Sequence, residues 1–384
     1  MESNQDNYFK DFWKIGKNSF DHPLVYLVII LLFLGLGVLI SAGTITSQRE
    51  YEDAFFLFKK QAVWAGFGFL FFLVAINVPV QFYWKNSQIL FLLSIVSLTL
   101  VFIPGIGRSV ETYYGRNFHR WINLGFIQFQ PSEFAKISTV LYVSSVLVRY
   151  KTEDNHHSYS FLVTPAAFVA LLLLLVVAEP AFGTTLEILF IILTLIFING
   201  FPLKKLIIGL IAMTPLLFLL VYKVGYRKKR IDVWLDPYKY RFDEGHQLVS
   251  SFRSFMEGGF LGNPLSTGYS HRYLTYSHTD FILSTYVEDY GYLGFLFLLG
   301  LFLLLITRTY ILLKNVNNLF ALHVGTGLIS MISLQIIMNT FVVTGIIPIT
   351  GISLPFLSYG GSSLITILIS MGIILNITKR ENLY

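Results

Sequence analysis

The segment His278-Thr-Asp-Phe281 sets a carboxylate, Asp280, where an apolar stretch begins, and Glu288 and Asp289 follow about two turns further along it. A carboxylate at a helix mouth can be an ordinary N-cap. Three carboxylates on one membrane-entering helix are costly unless they find partners or face a wet cavity, so they point to a polar cleft. Cations stand in a second segment, Gly115-Arg-Asn-Phe-His-Arg-Trp-Ile-Asn-Leu-Gly125 followed by Gln130-Pro-Ser-Glu-Phe-Ala-Lys136. Pro131 suits the first turn of a helix, where its missing N–H costs nothing, and the helix dipole favours Glu133 there. Lys136 lies a turn deeper. It either binds an anion or pairs with Glu133 at i,i+3, with Arg120 and Trp121 as an interfacial anchor.

Other polar segments are less specific. Glu179 and Glu187 end two apolar stretches and read as cap or interfacial charges. The basic run Arg227-Lys-Lys-Arg230 is a solvated face or meets anionic headgroups. Gly345-Ile-Ile-Pro-Ile-Thr-Gly-Ile-Ser-Leu-Pro-Phe-Leu-Ser-Tyr-Gly-Gly-Ser-Ser363 carries no charge. Such backbone at membrane depth must be buried in protein or line a cavity; its N–H groups receive an anion, or the segment is a re-entrant packing element. His156 and His157 read as a solvated linker, and Gln335 and Asn339, at i,i+4, as hydrogen-bonding glue between helices.

The elements that must position these groups are transmembrane helices. The chain has 384 residues, 54% hydrophobic and 13% charged, where a soluble domain would carry about a quarter charged. It has no cysteine, which excludes disulfides and thiolate metal sites. The net charge of +6 has too few charges outside the apolar runs to make a nucleic-acid-binding face, and matches orientation and anionic lipid instead. The first apolar run lacks a signal-peptide cleavage site. Stretches long enough to cross about 30 Å of hydrocarbon run over Leu24–Ala42, Gln61–Val80, Gln88–Pro104, Phe134–Val148, Phe161–Ala178, Thr185–Phe201, Leu206–Val221, Phe281–Ile306, Leu319–Val343 and Ser363–Ile377.

Charge orients them. Alternate short connections carry Lys85, Arg149 with Lys151, Lys204 with Lys205, and Arg308 with Lys314. Lys10, Lys14 and Lys17 precede the first stretch, and Lys379 and Arg380 follow the last. By the positive-inside rule both termini are cytoplasmic. The expectation is therefore an all-α, polytopic membrane protein of about ten transmembrane helices, one integral domain over 1–384. Residues 1–23 form a cytoplasmic arm. Residues 223–280 form a large extracytoplasmic loop between the seventh and eighth helices, and Ser47–Lys60 and Gly105–Ser132 are smaller outer connections.

Three segments in topological order, Arg120-Trp-Ile-Asn-Leu-Gly125 with Gln130-Pro-Ser-Glu133, His278-Thr-Asp-Phe-Ile282, and Leu354-Pro-Phe-Leu-Ser-Tyr-Gly-Gly-Ser-Ser363, resemble the SEDS family (shape, elongation, division and sporulation). This is the RodA/FtsW/SpoVE group of peptidoglycan glycosyltransferases, and the resemblance spans nearly the whole chain. It implies ten spans in the bacterial cytoplasmic (inner) membrane, an extracytoplasmic active site, and lipid II as substrate. It further implies a class B penicillin-binding protein, a transpeptidase, as partner, alongside other divisome or elongasome membrane proteins. By residue-for-residue match the essential acid falls on Asp280, conserved cavity positions on Arg120, Lys136 and Glu288, and the C-terminal motif on Ser358, Gly360 and Gly361.

The implied chemistry suits these residues. A carboxylate takes the proton of the acceptor sugar hydroxyl as it attacks the donor's anomeric carbon. Arg120, Lys136 or a divalent cation (Mg or Mn, with Asp280 as its ligand) stabilises the leaving pyrophosphate. The chain departs from the family where Glu179-Pro-Ala181 replaces the usual Gln-Pro-Asp, and where Leu274-Thr-Tyr-Ser277 replaces Leu-Pro-Glu. The competing functions are a flippase for a lipid-linked precursor, which predicts polar groups near the midplane, and a non-catalytic scaffold. Gly351-Ile-Ser-Leu-Pro355 leans towards the FtsW branch.

Overall fold

The computed structural model describes residues 20–111, 117–123, 125, 128–152, 160–179, 181–205, 207–208, 211 and 225–379, with side chains at all but 109–111, 117–118, 152, 160 and 226–227. The N-terminal arm to residue 19, Arg116, His156, His157, Arg380 and almost all of Leu206–Val221 lie outside the described residues.

Nine of the ten expected stretches are helices: α1 (His22–Tyr51), α2 (Phe56–Asn77), α3 (Val80–Leu100), α4 (Pro131–Thr152), α5 (Ser160–Ala178), α6 (Phe182–Ile198), and, past the large loop, α10 (Ile282–Leu313), α11 (Leu319–Val343) and α12 (Gly361–Ile377). The large loop holds α7 (Gly225–Leu235), α8 (His246–Gly258) and α9 (Tyr269–Tyr273). Among the described residues α1, α2, α5, α10 and α11 are long and apolar enough to cross a membrane, and α6 and α12 are shorter apolar helices. The chain is an all-α polytopic membrane protein. α4 is less apolar because its polar residues face inward: Ser132, Glu133, Lys136, Ser138, Thr139, Ser144 and Ser145 are all buried.

Two of the outer connections carry regular structure. The Ser47–Lys60 connection is mostly helix, since α1 runs on to Tyr51 and α2 begins at Phe56. Its 30 residues make α1 about 45 Å long, more than the hydrocarbon needs. The connection after α3 is not helical but a small antiparallel sheet of β1 (Gly107–Glu111), β2 (Asn117–Asn123) and β3 (Gln128–Phe129), in the order β1-β2-β3. Its Phe, Trp and Ile residues suit strands, and α4 then starts at Pro131, as the proline's fixed φ favours.

α11 touches α4, α6, α10 and α12. It is apolar almost all round, which a helix surrounded by other helices requires. At the opposite end from the loop, Asp21 caps α1 at Leu24 N (2.9 Å) and pairs with buried Arg308 of α10 through Nε at 3.1 Å.

The large loop is built into the bundle. α8 packs Leu248, Ser251, Ser254 and Gly258, spaced at about one turn, against α10. The Ser251 hydroxyl contacts Ser284 Oγ (2.7 Å) and donates to Val343 O (2.7 Å). α10 itself breaks at Gly291, whose φ of 66° only glycine adopts easily. The break frees two backbone donors, and the loop accepts them: Tyr292 N donates to Gly259 O (3.0 Å) and Leu293 N to Phe260 O (3.2 Å).

Candidate active site

Asp280 sits in the turn before α10, where the N-cap is Phe281. It is therefore not a helix cap. The main chain around it is fixed from three sides, because each of four consecutive carbonyls has its own donor. Ser277 O accepts from Thr285 Oγ1 (3.2 Å), His278 O from Tyr359 N (2.9 Å), Thr279 O from Ser358 Oγ (2.8 Å), and Asp280 O from Asn339 Nδ2 (2.7 Å). The carboxylate is thus presented by α10, α11 and the segment before α12 together. A side chain at Gly351 would place its Cβ 3.4 Å from Asp280 Oδ2. Glycine at that position leaves the carboxylate room.

The charges of two guanidinium groups reach this carboxylate. In the sheet, Arg108 pairs with Trp121 and Ser109 with His119, so Arg120 is the extra residue of a β-bulge. Bulges re-aim side chains, and Arg120 Nε here donates to Glu179 O at 3.1 Å while its charge reaches Asp280. Arg230, on α7, donates from Nη1 to Ile349 O (3.0 Å) and also acts on Asp280. α7 is held over this position by Trp234 Nε1 donating to Gly345 O (2.8 Å). Burial pushes the half-buried Asp280 carboxyl above the usual range, and Arg230 and Arg120 pull it back. Burial also pushes His278 down to about 4, leaving it neutral.

The other expected site residues separate into two groups. Ser358, Gly360 and Gly361 belong with Asp280. Ser358 Oγ also accepts from Leu354 N (2.8 Å), and Gln61 of α2 bridges Ser358 O (3.3 Å) and Gly360 N (3.2 Å). Gly361 lies on the Trp64 ring, where a Cβ would come within 2.5 Å. The N–H groups of Leu354, Ser358, Tyr359 and Gly360 all donate to protein acceptors. Of these, Tyr359 N holds His278 O while the others bond within the segment or to Gln61, and the segment's Ile352, Leu354, Phe356 and Leu357 are buried.

Lys136 and Glu288 are engaged elsewhere. Lys136 is 1% exposed, with Nζ 2.9 Å from Glu133 Oε1 and 3.3 Å from Glu187 Oε1, and Gln335 of α11 beside Glu187. The expected i,i+3 pair with Glu133 forms, and Glu187 is its second partner rather than a cap. Glu288 accepts from Tyr269 N (2.6 Å), Ser270 N (2.8 Å) and Ser270 Oγ, and so caps α9. Neighbouring Asp289 binds His271 Nε2 (2.8 Å) and Ser41 Oγ (2.7 Å). The carboxylates after Asp280 thus find protein partners rather than a wet cavity.

Arg230 and Gln61 were not singled out from sequence as site residues. Arg230 lay inside a basic run with nothing local to separate it from its neighbours, and Gln61 opened an expected apolar span. Among the described residues no three His, Cys, Asp or Glu side chains come together as metal ligands. A lone carboxylate under the charge of two guanidinium groups is a poor donor set for a protein-held divalent cation.

The chain matches the FtsW, RodA and SpoVE cell cycle protein model over residues 22–383. It is 35% identical over 369 residues to the probable peptidoglycan glycosyltransferase FtsW of Coxiella burnetii, covering 95% of this chain and 98% of the relative. It is 33% identical to stage V sporulation protein E of Bacillus subtilis, covering 94% and 98%. Among solved structures it is similar to a chain from work on the structural coordination of polymerization and crosslinking by a peptidoglycan synthase complex, with TM-score 0.78, 27% identity, and 95% and 99% of the chains covered. It is also similar to the rod shape determining protein RodA of Thermus thermophilus, with TM-score 0.69, 27% identity, and 95% and 98% covered. The chain belongs to the FtsW/RodA/SpoVE family of cell cycle proteins.

Proposed function

We propose that this protein is a peptidoglycan glycosyltransferase that polymerises lipid II at the outer face of the bacterial cytoplasmic membrane. The observation that carries the reading is the Asp280 carboxylate, fixed by its own main chain and faced by Arg120 and Arg230. Asp280 accepts the proton of the acceptor sugar hydroxyl while the hydroxyl oxygen bonds to the donor's anomeric carbon. The bond from that carbon to the pyrophosphate oxygen breaks, and undecaprenyl pyrophosphate leaves with the bonding electrons. A carboxyl raised above the ordinary range is a better base for a hydroxyl than a solvated one. The leaving pyrophosphate is met by Arg120 and Arg230, whose planar guanidinium groups suit phosphate oxygens.

Lys136 acts one step removed. Its ammonium lies five residues into α4, about 8 Å along the helix, where two carboxylates hold it. It fixes α4 to α6, and so the wall on which the sheet and Arg120 are built. Glu288 likewise serves by ordering the large loop, and Ser358, Gly360 and Gly361 by holding the Asp280 turn. Ten spans, both termini cytoplasmic and the site extracytoplasmic complete the topology, supported by the distribution of Lys and Arg.

The partner is a class B penicillin-binding protein, which the similarity to a chain of a peptidoglycan synthase complex supports. Purified protein with its cognate transpeptidase should convert lipid II to glycan strands, and folded, partner-bound Asp280→Asn should not. Normal polymerisation by that variant would overturn the assignment of Asp280. Lipid II bound by wild type without polymerisation would shift the reading to transport or scaffolding.

A further inference from the structure

The Glu179 side chain is wholly buried, yet among the described residues neither carboxylate oxygen has a hydrogen-bond partner. The residue's main-chain oxygen nevertheless accepts the Arg120 Nε–H at 3.1 Å. Arg120 is thus docked on the backbone of Glu179 while its charge also reaches Asp280. Among the described residues Arg120 is also the charge that reaches the Glu179 carboxyl. α3, α4 and α6 pack against α5; of their carboxylates and ammonium groups, Glu133 and Lys136 on α4 and Glu187 on α6 are engaged with one another, while Lys85 on α3 and Arg149 and Lys151 on α4 lie at the far ends of their helices. An ionised carboxylate buried without partners is strongly disfavoured, so this group carries its proton when Arg120 points away.

We infer that Glu179 is a positioning residue which sets the direction of the Arg120 guanidinium. Neutral, Glu179 offers Arg120 only a main-chain carbonyl and leaves it directed at Asp280 and the substrate pyrophosphate. Ionised, it competes for the same guanidinium as a charged acceptor and draws it off the substrate. This rests on the reading of Arg120 as a pyrophosphate ligand. Burial lifts the Glu179 carboxyl to about 8 against the pull of Arg120, so the change falls just above neutral pH.

The test is equilibrium binding of undecaprenyl pyrophosphate to the full-length protein in detergent, from about pH 7 to about pH 9.5. Wild type should lose roughly tenfold in affinity across that range, the worth of one charge-assisted hydrogen bond, and Glu179→Gln should lose little. Equal losses in both proteins, or none in wild type, would overturn the proposal. Infrared spectroscopy of wild type labelled with carbon-13 glutamate supplies a second readout that needs no Glu179 variant. It should show a protonated carboxyl at neutral pH that ionises near pH 8, and Arg120→Ala should move that ionisation to higher pH. A protonated band that ignores Arg120, or its absence, equally sinks the idea. Because binding is read rather than polymerisation, loss of the glycosyltransferase reading and loss of this one are separable.

Discussion

Asn339 donates from one amide nitrogen to the main-chain oxygens of Asp280, at 2.7 Å, and Ile352, at 2.8 Å. A single side chain on the central helix α11 thereby ties the turn carrying the acid to the segment that covers it. Asn339→Asp removes the donor and sets an anion against two carbonyls. Polymerisation should fall about 10- to 100-fold, the scale of an ångström-sized misplacement of a catalytic group. Steady-state assays should show the loss in turnover, with lipid II binding nearly retained. A loss confined to binding would contradict the positioning role.

Glu187 completes the charge cluster around Lys136. Glu187→Ala leaves the buried ammonium with one carboxylate and should destabilise the protein by about 3 kcal/mol, as breaking buried pairs does. Replacing Glu133, Lys136 and Glu187 together by apolar residues of similar size should cost less than Glu187→Ala alone. Unfolding midpoints in detergent would rank the two.

Glu288 accepts three donors from the start of α9. In Glu288→Ala the two backbone N–H groups and the Ser270 hydroxyl lose their acceptor, at a cost of about 2 kcal/mol or more. Hydrogen exchange should quicken over residues 259–273 and stay slow in α11 and α12. Uniform quickening would mean that Glu288 supports the whole bundle instead.

His278 is neutral because burial holds its folded pKa at about 4, below the ordinary 6.5. The unfolded chain therefore binds the extra proton first as pH falls. Stability from this group is fully present above about 6.5 and is lost as pH falls from there to about 4. Wild type should lose unfolding midpoint over that window, and His278→Gln should lose less. Asp280 titrates above the usual carboxylate range, so the acid limb of activity should lie above that range too. Polymerisation measured against pH in wild type would show it.

The helices were legible because hydropathy over one span is a local property: Leu319–Val343 is both an apolar stretch and the limits of α11. The Glu133–Lys136 pair was legible for the same reason, since three residues on one helix fix the distance. Asp280 stood out because a carboxylate opening an apolar run needs an explanation. What surrounds Asp280 had no such local mark. Arg120 reaches it through a bulge that depends on strand register, Arg230 through the docking of α7, and Asn339 through the packing of α11. Glu288 looks from sequence like a companion of Asp280, yet it caps a helix in the loop. The sequence alone thus determined the membrane-spanning elements and the acid, because chain spacing and hydropathy act over a few residues. Only the tertiary structure decided which cations face that acid, because those partners lie on separate elements whose meeting depends on how the whole bundle packs.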